Sequence, residues 1–139
     1  MTQIISVADL AAVVRAVGLD ALLDQLIAEL RRALVHHDPA RVEIQDRTGF
    51  HYQEPGPGLL EWMPALAVGR RVAIKTVGYH PTNPTQRYFP SVPATTSLYA
   101  ASDGRLEFVC EATILTALRT GTASAIASDV LAHPDASVL

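Results

Sequence analysis

Residues 6–37 follow the spacing of amphipathic helices. Apolar side chains recur every three or four positions on either side of Gly18: Leu10, Val13, Val14, Val17, then Leu22, Leu23, Leu26, Ile27, Leu30 and Leu34. This period places them on one face of a helix. Ser6 can cap the N-terminus, with Asp9 completing a capping box, and Asp38-Pro39 ends the pattern. We predict two helices, or one helix with a break at Gly18.

Between residues 41 and 110 the apolar period changes towards two, which is typical of strands. Strands are predicted at residues 42–44, 50–52, 59–63, 71–77, 95–101 and 106–110. Pro64 is expected to end the third of these, and the four prolines in residues 80–93 predict a loop. Residues 54–58 read as a turn, and residues 102–104 as the tight turn of a hairpin.

The helical period returns in residues 112–132, where the apolar face is formed by Ile114, Leu115, Leu118, Ala125 and Ile126. Much of the remainder is Ala, Thr, Ser and Gly, so neighbouring backbone can approach this helix closely. The pattern predicts an α+β fold. We expect N-terminal helices packed on a mixed, mainly antiparallel sheet, followed by a long C-terminal helix.

Composition narrows the class of protein. A chain of 139 residues predicts one domain, and 49% apolar with 18% charged residues excludes a disordered chain. The net charge of -3 argues against nucleic acid as a partner. No apolar run approaches the roughly 20 residues of a membrane span, and because the first ten residues lack a basic segment and a long apolar core, we expect no signal peptide. We therefore expect a soluble, cytoplasmic protein without a membrane partner.

Cysteine and histidine residues offer little chemistry. Cys110 is the only cysteine and lies in an apolar run, so a buried structural thiol is favoured over a nucleophile and no disulfide framework is possible. His51 and His80 have no cysteine or carboxylate at a ligand spacing, and His36 and His37 are adjacent. No metal site is predicted.

Four charged residues stand in apolar or structured segments: Arg41, Glu61, Lys75 and Arg119. Taken singly, each could be an ordinary exposed charge. Together, three cations and one carboxylate could form a pocket for a small zwitterion, because guanidinium groups grip a carboxylate at two points. Lys75 lies within the apolar run VAIKTV, where an ammonium needs an anion to offset its desolvation. A substrate carboxylate would supply that anion.

Three segments carry a resemblance to a known family. They are EWMPAL at residues 61–66, GYHPTN at residues 78–83 and TILTALRT at residues 113–120, and their order and spacing fit from the first helix to Leu139. The chain resembles the ornithine cyclodeaminase and mu-crystallin family. This resemblance implies NAD-dependent hydride transfer at the α-carbon of an amino acid such as ornithine, followed by loss of ammonia with cyclisation, or imine reduction in other members. It also implies a first domain that binds the amino acid and forms a homodimer through its sheet.

The resemblance implies roles for the charged residues. Arg41, Lys75 and Arg119 match the groups that hold the substrate carboxylate, and Glu61 matches the glutamate that faces the substrate amine or a catalytic water. Lys75 and Glu61 are the implied catalytic residues. The span from Arg41 to Glu61 is longer than in the family, with GFHYQEPGPG at residues 49–58 as an apparent insertion. Arg47 is therefore the alternative to Arg41.

Cofactor contacts are implied in the same way. Ser91 falls where the family has a threonine near the nicotinamide, Arg119 lies near the cofactor, and Thr120 lies near its phosphates. The glycine-rich turn and the catalytic aspartate of the family's Rossmann domain are not found in these 139 residues. The resemblance thus implies a substrate-binding and dimerisation domain at residues 1–132, and the start of a truncated Rossmann strand at residues 133–139.

Two functions from different classes follow. The first is the substrate-binding part of an NAD-dependent cyclodeaminase-like enzyme, inactive alone and completed by a Rossmann-fold partner chain. The alternative is a non-catalytic dimerisation or small-ligand-binding module of the same family. Amino acid binding that depends on Lys75 and Arg119 would favour the first.

Overall fold

The computed structural model describes residues 1–133, 135 and 136. Within them, seven strands and four helices follow one another in the order β1 (Gln3–Ile5), α1 (Val7–Val17), α2 (Leu19–Val35), β2 (Val42–Ile44), β3 (Thr48–Tyr52), β4 (Gly58–Ala67), β5 (Arg71–Tyr79), α3 (Asn83–Gln86), β6 (Ala94–Ala100), β7 (Leu106–Glu111) and α4 (Thr113–Leu131). The α+β class is confirmed. The strand expected to open at residues 137–139 lies outside the described residues, so the division at residue 132 stays a prediction.

All seven strands form one mixed sheet. The strand order is β1-β7-β6-β5-β4-β2, and β3 also pairs with β4. Among the strands of the described residues, the pairing of β1 with β7 is parallel and the other pairings are antiparallel. The prediction of a mainly antiparallel sheet is therefore confirmed. Sequence reasoning missed β1, because three residues show no period and their partner strand begins about a hundred positions away.

Strand β4 continues through Pro64, so the prediction that this proline ends the strand is wrong. The Pro64 carbonyl accepts a hydrogen bond of 3.2 Å from the backbone N–H of Gln45. The Pro64 nitrogen points towards the same edge of β4. At that edge β2 pairs with residues 65–67 and β3 pairs with residues 58–62, so Pro64 lies at the junction between them. Its missing N–H breaks no ladder bond there.

The N-terminal helical region divides at Gly18, as the sequence predicted. Gly18 has φ 85°, ends α1 and begins α2. The capping box of Ser6 and Asp9 is present. Helix α2 packs against α4, where Arg31 forms an ion pair with Asp129, and α1 contacts α2 and β1. The helical layer therefore reaches the sheet at β1 and, through α4, at β6.

The most buried apolar side chains lie where β6, β7 and α4 meet: Ala94, Ala100, Cys110, Ala112 and Ile126. Cys110 is 2% exposed, which confirms it as a buried thiol. Burial, and secondarily the Glu111 carboxylate, raises the pKa of that thiol. No helix in the described part of the chain is both long and apolar enough to cross a membrane.

Candidate functional site

The two faces of the central strand β5 differ in chemistry. Because side chains alternate along a strand, Lys75 and Val77 lie on one face and Ile74 and Thr76 on the other. The register places Met63 of β4 and Thr96 of β6 opposite Lys75. We call this side the lysine face, defined by Met63, Lys75, Val77 and Thr96.

Helix α4 lies over the lysine face, and the two border a partly open cavity of about 520 Å³. We call it the cation cavity, since three cationic side chains line it: Arg47, Lys75 and Arg119. Its other lining residues are Met63, Val77, Val92, Thr96, Ala112, Leu115, Thr116 and Thr120. The structure thus brings the predicted Lys75 and Arg119 together, from a strand and from a helix.

The positive charges in this cavity act on one another. Desolvation by burial, followed by repulsion from Arg119 and then from Arg47, lowers the pKa of Lys75 below its ordinary value of 10.5. Each cause disfavours the charged ammonium. An anion placed between these side chains would reverse the two repulsive contributions, so the cavity is electrostatically matched to a negatively charged ligand.

Of the two candidate arginines, Arg47 lines the cation cavity and Arg41 does not. Arg41 precedes β2, is exposed, and is bonded there through its backbone to Asp38 and Val68. Arg47 forms an ion pair of 3.2 Å with Glu61, whose side chain is 18% exposed. Glu61 does not line the cavity itself, but it is ion-paired with Arg47, which does.

A larger cavity of about 860 Å³ adjoins the first, between residues 84–92 and α4. We call it the hydroxyl cavity, because Ser91, Thr113, Thr116 and Thr120 line it together with Pro84, Tyr88, Phe89, Pro90, Val92 and Ala117. Val92, Thr116 and Thr120 line both cavities. Ser91 and Thr120, both predicted cofactor contacts, therefore share one cavity, whereas Arg119 lies in the neighbouring one.

Sequence reasoning did not single out Met63, Thr96 or Thr116. Met63 and Thr96 lie opposite Lys75 only because of the register of β4, β5 and β6, which no local pattern reveals. Thr116 was within reach of sequence reasoning, since it precedes Arg119 by three positions on a predicted helix and residues so spaced share a face.

Comparisons with known proteins identify the family of this chain. A model of the ornithine cyclodeaminase/mu-crystallin family matches residues 7–139. An L-lysine cyclodeaminase from Streptomyces rapamycinicus is 32% identical over 139 residues, which cover 99% of this chain and 40% of that protein. The chain spans about two fifths of the length of the curated relatives it matches.

Two solved structures are similar in fold. A lysine cyclodeaminase, studied for its recognition of L-lysine, L-ornithine and L-2,4-diaminobutyric acid, superimposes with a TM-score of 0.90 and 39% identity over 96% of this chain and 39% of that one. An archaeal alanine dehydrogenase dimer with bound NAD has a TM-score of 0.78 and 26% identity, over 98% and 39% of the two chains. The predicted resemblance is confirmed, and the chain belongs to the ornithine cyclodeaminase/mu-crystallin family.

Proposed function

We propose that this chain is the amino-acid-binding part of an NAD-dependent, cyclodeaminase-like enzyme. The observation that carries the proposal is the convergence of Arg47, Lys75 and Arg119 on one cavity over β5. Three cations facing one cavity are costly without a counter-charge. The carboxylate of an amino acid supplies that charge and can accept two-point hydrogen bonds from a guanidinium group.

The α-carbon of the bound amino acid would then be fixed relative to the protein. Arg119 and Lys75 hold the carboxylate from α4 and β5, and we assign the same role to Arg47 in preference to Arg41. Glu61, held by Arg47 at 3.2 Å, is the carboxylate that we assign to the substrate amine or to a catalytic water. Holding the reacting carbon in this way is the positional contribution of the chain to catalysis.

The hydroxyl cavity fits the nicotinamide end of NAD. It combines the hydroxyl groups of Ser91 and Thr120 with apolar side chains such as Val92 and Ala117, and it adjoins the cation cavity. Bound NAD would accept a hydride from the amino acid α-carbon and return it. We propose that the rest of the dinucleotide is held by a Rossmann fold, in a further domain or in a partner chain. The NAD bound to the related alanine dehydrogenase supports this assignment.

We further propose that the second face of the sheet forms a homodimer interface. This apolar face carries Phe50, Leu60, Trp62 and Ile74. Phe50 and Leu60 are 66% and 41% exposed, and the rings of Phe50 and Trp62 lie 5.6 Å apart. The described helices make their main sheet contacts at β1 and β6, which leaves this part of the sheet exposed. Its burial against a second copy would stabilise a dimer.

Calorimetry with L-lysine, L-ornithine and L-alanine tests the central proposal. Binding to the wild type is expected, and Lys75→Met and Arg119→Ala should each weaken it by about ten- to a hundredfold, because each removes a charge-assisted hydrogen bond of about 1.5–3 kcal/mol. Arg70→Ala is the matched control, since Arg70 is an exposed cation in the turn between β4 and β5. It should leave the affinity unchanged.

The proposal fails if no amino acid binds, or if binding is equally strong in Lys75→Met. In that case a chain that still dimerises would be better described as a non-catalytic module of the family. The comparison of the three amino acids also reports on the side chain that the cavity accepts.

A further inference from the structure

The segment from His80 to Pro93 is closed into a compact loop by one buried residue, Asn83. Asn83 is 6% exposed and its side-chain amide donates a hydrogen bond of 3.1 Å to the Pro90 carbonyl. Its side-chain oxygen accepts one of 3.4 Å from Arg87. Its backbone carbonyl accepts from the N–H groups of Arg87 and Phe89, at 2.9 and 3.4 Å. A buried amide so fully bonded has few ways to move.

The far end of the loop is tied back to β5. The His80 N–H donates to the Ser91 carbonyl at 2.8 Å, and the Gly78 N–H donates to the Pro93 carbonyl at 2.9 Å. The peptide units of Pro90 and Ser91 are therefore held from two directions, by the side chain of Asn83 and by the backbone of His80. These units form the wall of the hydroxyl cavity, which we define as residues 90–92.

Tyr88, two residues before this wall, has φ 51°. A non-glycine residue in this left-handed region is strained, and such a conformation persists only where the surrounding structure holds it. Tyr88 is 96% exposed, so its own side chain is not buried in the fold. Hydrogen bonds to Asn83 flank Tyr88, since the N–H groups of Arg87 and Phe89 donate to the Asn83 backbone carbonyl and the Asn83 side-chain amide donates to the Pro90 carbonyl.

We propose that Asn83 is a positioning residue, which holds residues 90–92 in place and so sets the shape of the hydroxyl cavity. Asn83 does not line that cavity or the cation cavity. Asn83 acts through its hydrogen bond to the Pro90 carbonyl, and Pro90 in turn positions Ser91. The identity of the ligand in this inference rests on the proposed function. The effect of Asn83 on residues 90–92 does not depend on it.

The two cavities should respond differently to the loss of Asn83. Residues 90–92 contribute only Val92 to the cation cavity, whereas they contribute Pro90, Ser91 and Val92 to the hydroxyl cavity. Carboxylate binding at Lys75 and Arg119 should therefore persist. The distance and orientation between the cofactor and the α-carbon should change, and even a small displacement of the reacting groups is enough to reduce hydride transfer.

Asn83→Asp is the sharpest variant, since the carboxylate keeps an acceptor for Arg87 and loses the donor to Pro90. Arg87→Ala removes the other side-chain contact alone. Thr85→Ala is the matched control, because the Thr85 hydroxyl is exposed on the same short helix and bonds the Thr82 carbonyl. The amide protons of His80 and Phe89 report directly on the loop, since both are hydrogen-bonded within it.

Hydrogen exchange measured by NMR on the 139-residue chain decides the question without any ligand. In Asn83→Asp the His80 and Phe89 amides should exchange about tenfold faster or more, and the Thr116 and Thr120 signals should shift. Arg87→Ala should have a smaller effect, and Thr85→Ala none. Unchanged exchange in Asn83→Asp would overturn the inference.

Ligand measurements separate this inference from the proposed function. The affinity for L-lysine should stay within about threefold of the wild type in Asn83→Asp, while kcat of a complex completed with a Rossmann part should fall at nearly constant KM. If the wild type binds no amino acid, the proposed function fails and the exchange data still decide the role of Asn83. An equal loss of affinity in Asn83→Asp and Lys75→Met would contradict a role confined to positioning.

Discussion

The two faces of β5 belong to one backbone but carry side chains of opposite character, cationic on one face and apolar on the other. On the lysine face, a cation is placed among other cations beneath α4, and the desolvated ammonium has a lowered pKa. On the apolar face, Phe50 and Leu60 remain exposed. The lysine face costs free energy because it concentrates positive charge, and the apolar face because it exposes hydrocarbon to water. In the proposed function both costs are removed by binding, of a small anion on the lysine face and of a second copy of the chain on the apolar face.

The largest effect is expected from placing a charge on the apolar face. Leu60→Asp should convert the proposed dimer into a monomer, because a carboxylate at the centre of an interface must be desolvated without a partner. Sedimentation or light scattering measures the mass directly. Val130→Asp serves as the control, since Val130 is 68% exposed on α4. If the wild type is already monomeric, the proposal that the apolar face forms a homodimer interface is wrong.

A pair of neighbouring substitutions should separate the two faces by the size of their effect on stability. Thr96→Asp places a carboxylate opposite Lys75, whereas Ser97→Asp places one opposite Ile74 on the apolar face. Ser97→Asp should destabilise the fold by about 1–3 kcal/mol. Thr96→Asp should cost less, because Lys75 and Arg119 offset the charge, and it should block amino acid binding.

Denaturant titration and calorimetry on the same two variants provide the measurement. Equal destabilisation by Thr96→Asp and Ser97→Asp would show that the lysine face does not favour an anion. Thr96→Ser is a control that keeps a hydroxyl at this position.

A smaller effect is expected from Glu61, the carboxylate paired with Arg47. Glu61→Gln releases Arg47 from a partly exposed ion pair, to which we assign the contribution of exposed pairs, about 0.2–1 kcal/mol. If Glu61 competes with the ligand for Arg47, the affinity for an amino acid should rise by up to about fivefold. If Glu61 instead binds the substrate amine, the affinity should fall. Calorimetry distinguishes these outcomes by their sign.

The smallest effect concerns pH. Lys75 is the only lysine in the sequence, so its Nζ resonance can be titrated without overlap. The wild-type signal should titrate below 10.5. Between the lowered pKa and 10.5 the unfolded chain binds more protons, so the free energy of unfolding of the wild type should rise with pH. Lys75→Met should be more stable than the wild type below this window, and the difference should vanish above it.

Addition of a carboxylate ligand should return the pKa of Lys75 towards its ordinary value. Arg119→Ala should also raise it in the absence of ligand, because one source of repulsion is removed. A Lys75 pKa that does not respond to either change would show that the three cations do not act on one shared position.

The features that the sequence predicted well are those with a local cause. Ser6 and Asp9 lie within one turn of each other, and Gly18 interrupts a helical period, so both helix boundaries could be predicted from neighbouring residues. The convergence of Lys75 and Arg119 on one cavity could be predicted because a charge within an apolar segment is conspicuous, and because the surrounding motifs resemble a known family.

The features that the sequence did not predict depend on distant pairing. Arg41 was the predicted residue and Arg47 only its alternative, but the pairing of Gly49 with Glu61 places Arg47 beside the carboxylate. The contribution of Asn83 requires knowledge that Pro90 returns to within 3.1 Å of its side chain. No period or composition reveals such an approach across a loop.

Pro64 shows how a single backbone atom can influence the site from a distance. Its nitrogen carries no hydrogen, so at this edge Pro64 offers only its carbonyl, which accepts from the Gln45 N–H, and the neighbouring chain changes from β2 to β3 there. Arg47 lies in that crossing segment, two residues after Gln45. Replacing Pro64 with a residue that has a backbone N–H would add a hydrogen-bond donor facing the segment between β2 and β3. That donor would favour one continuous strand, in which Arg47 would no longer turn towards the cation cavity.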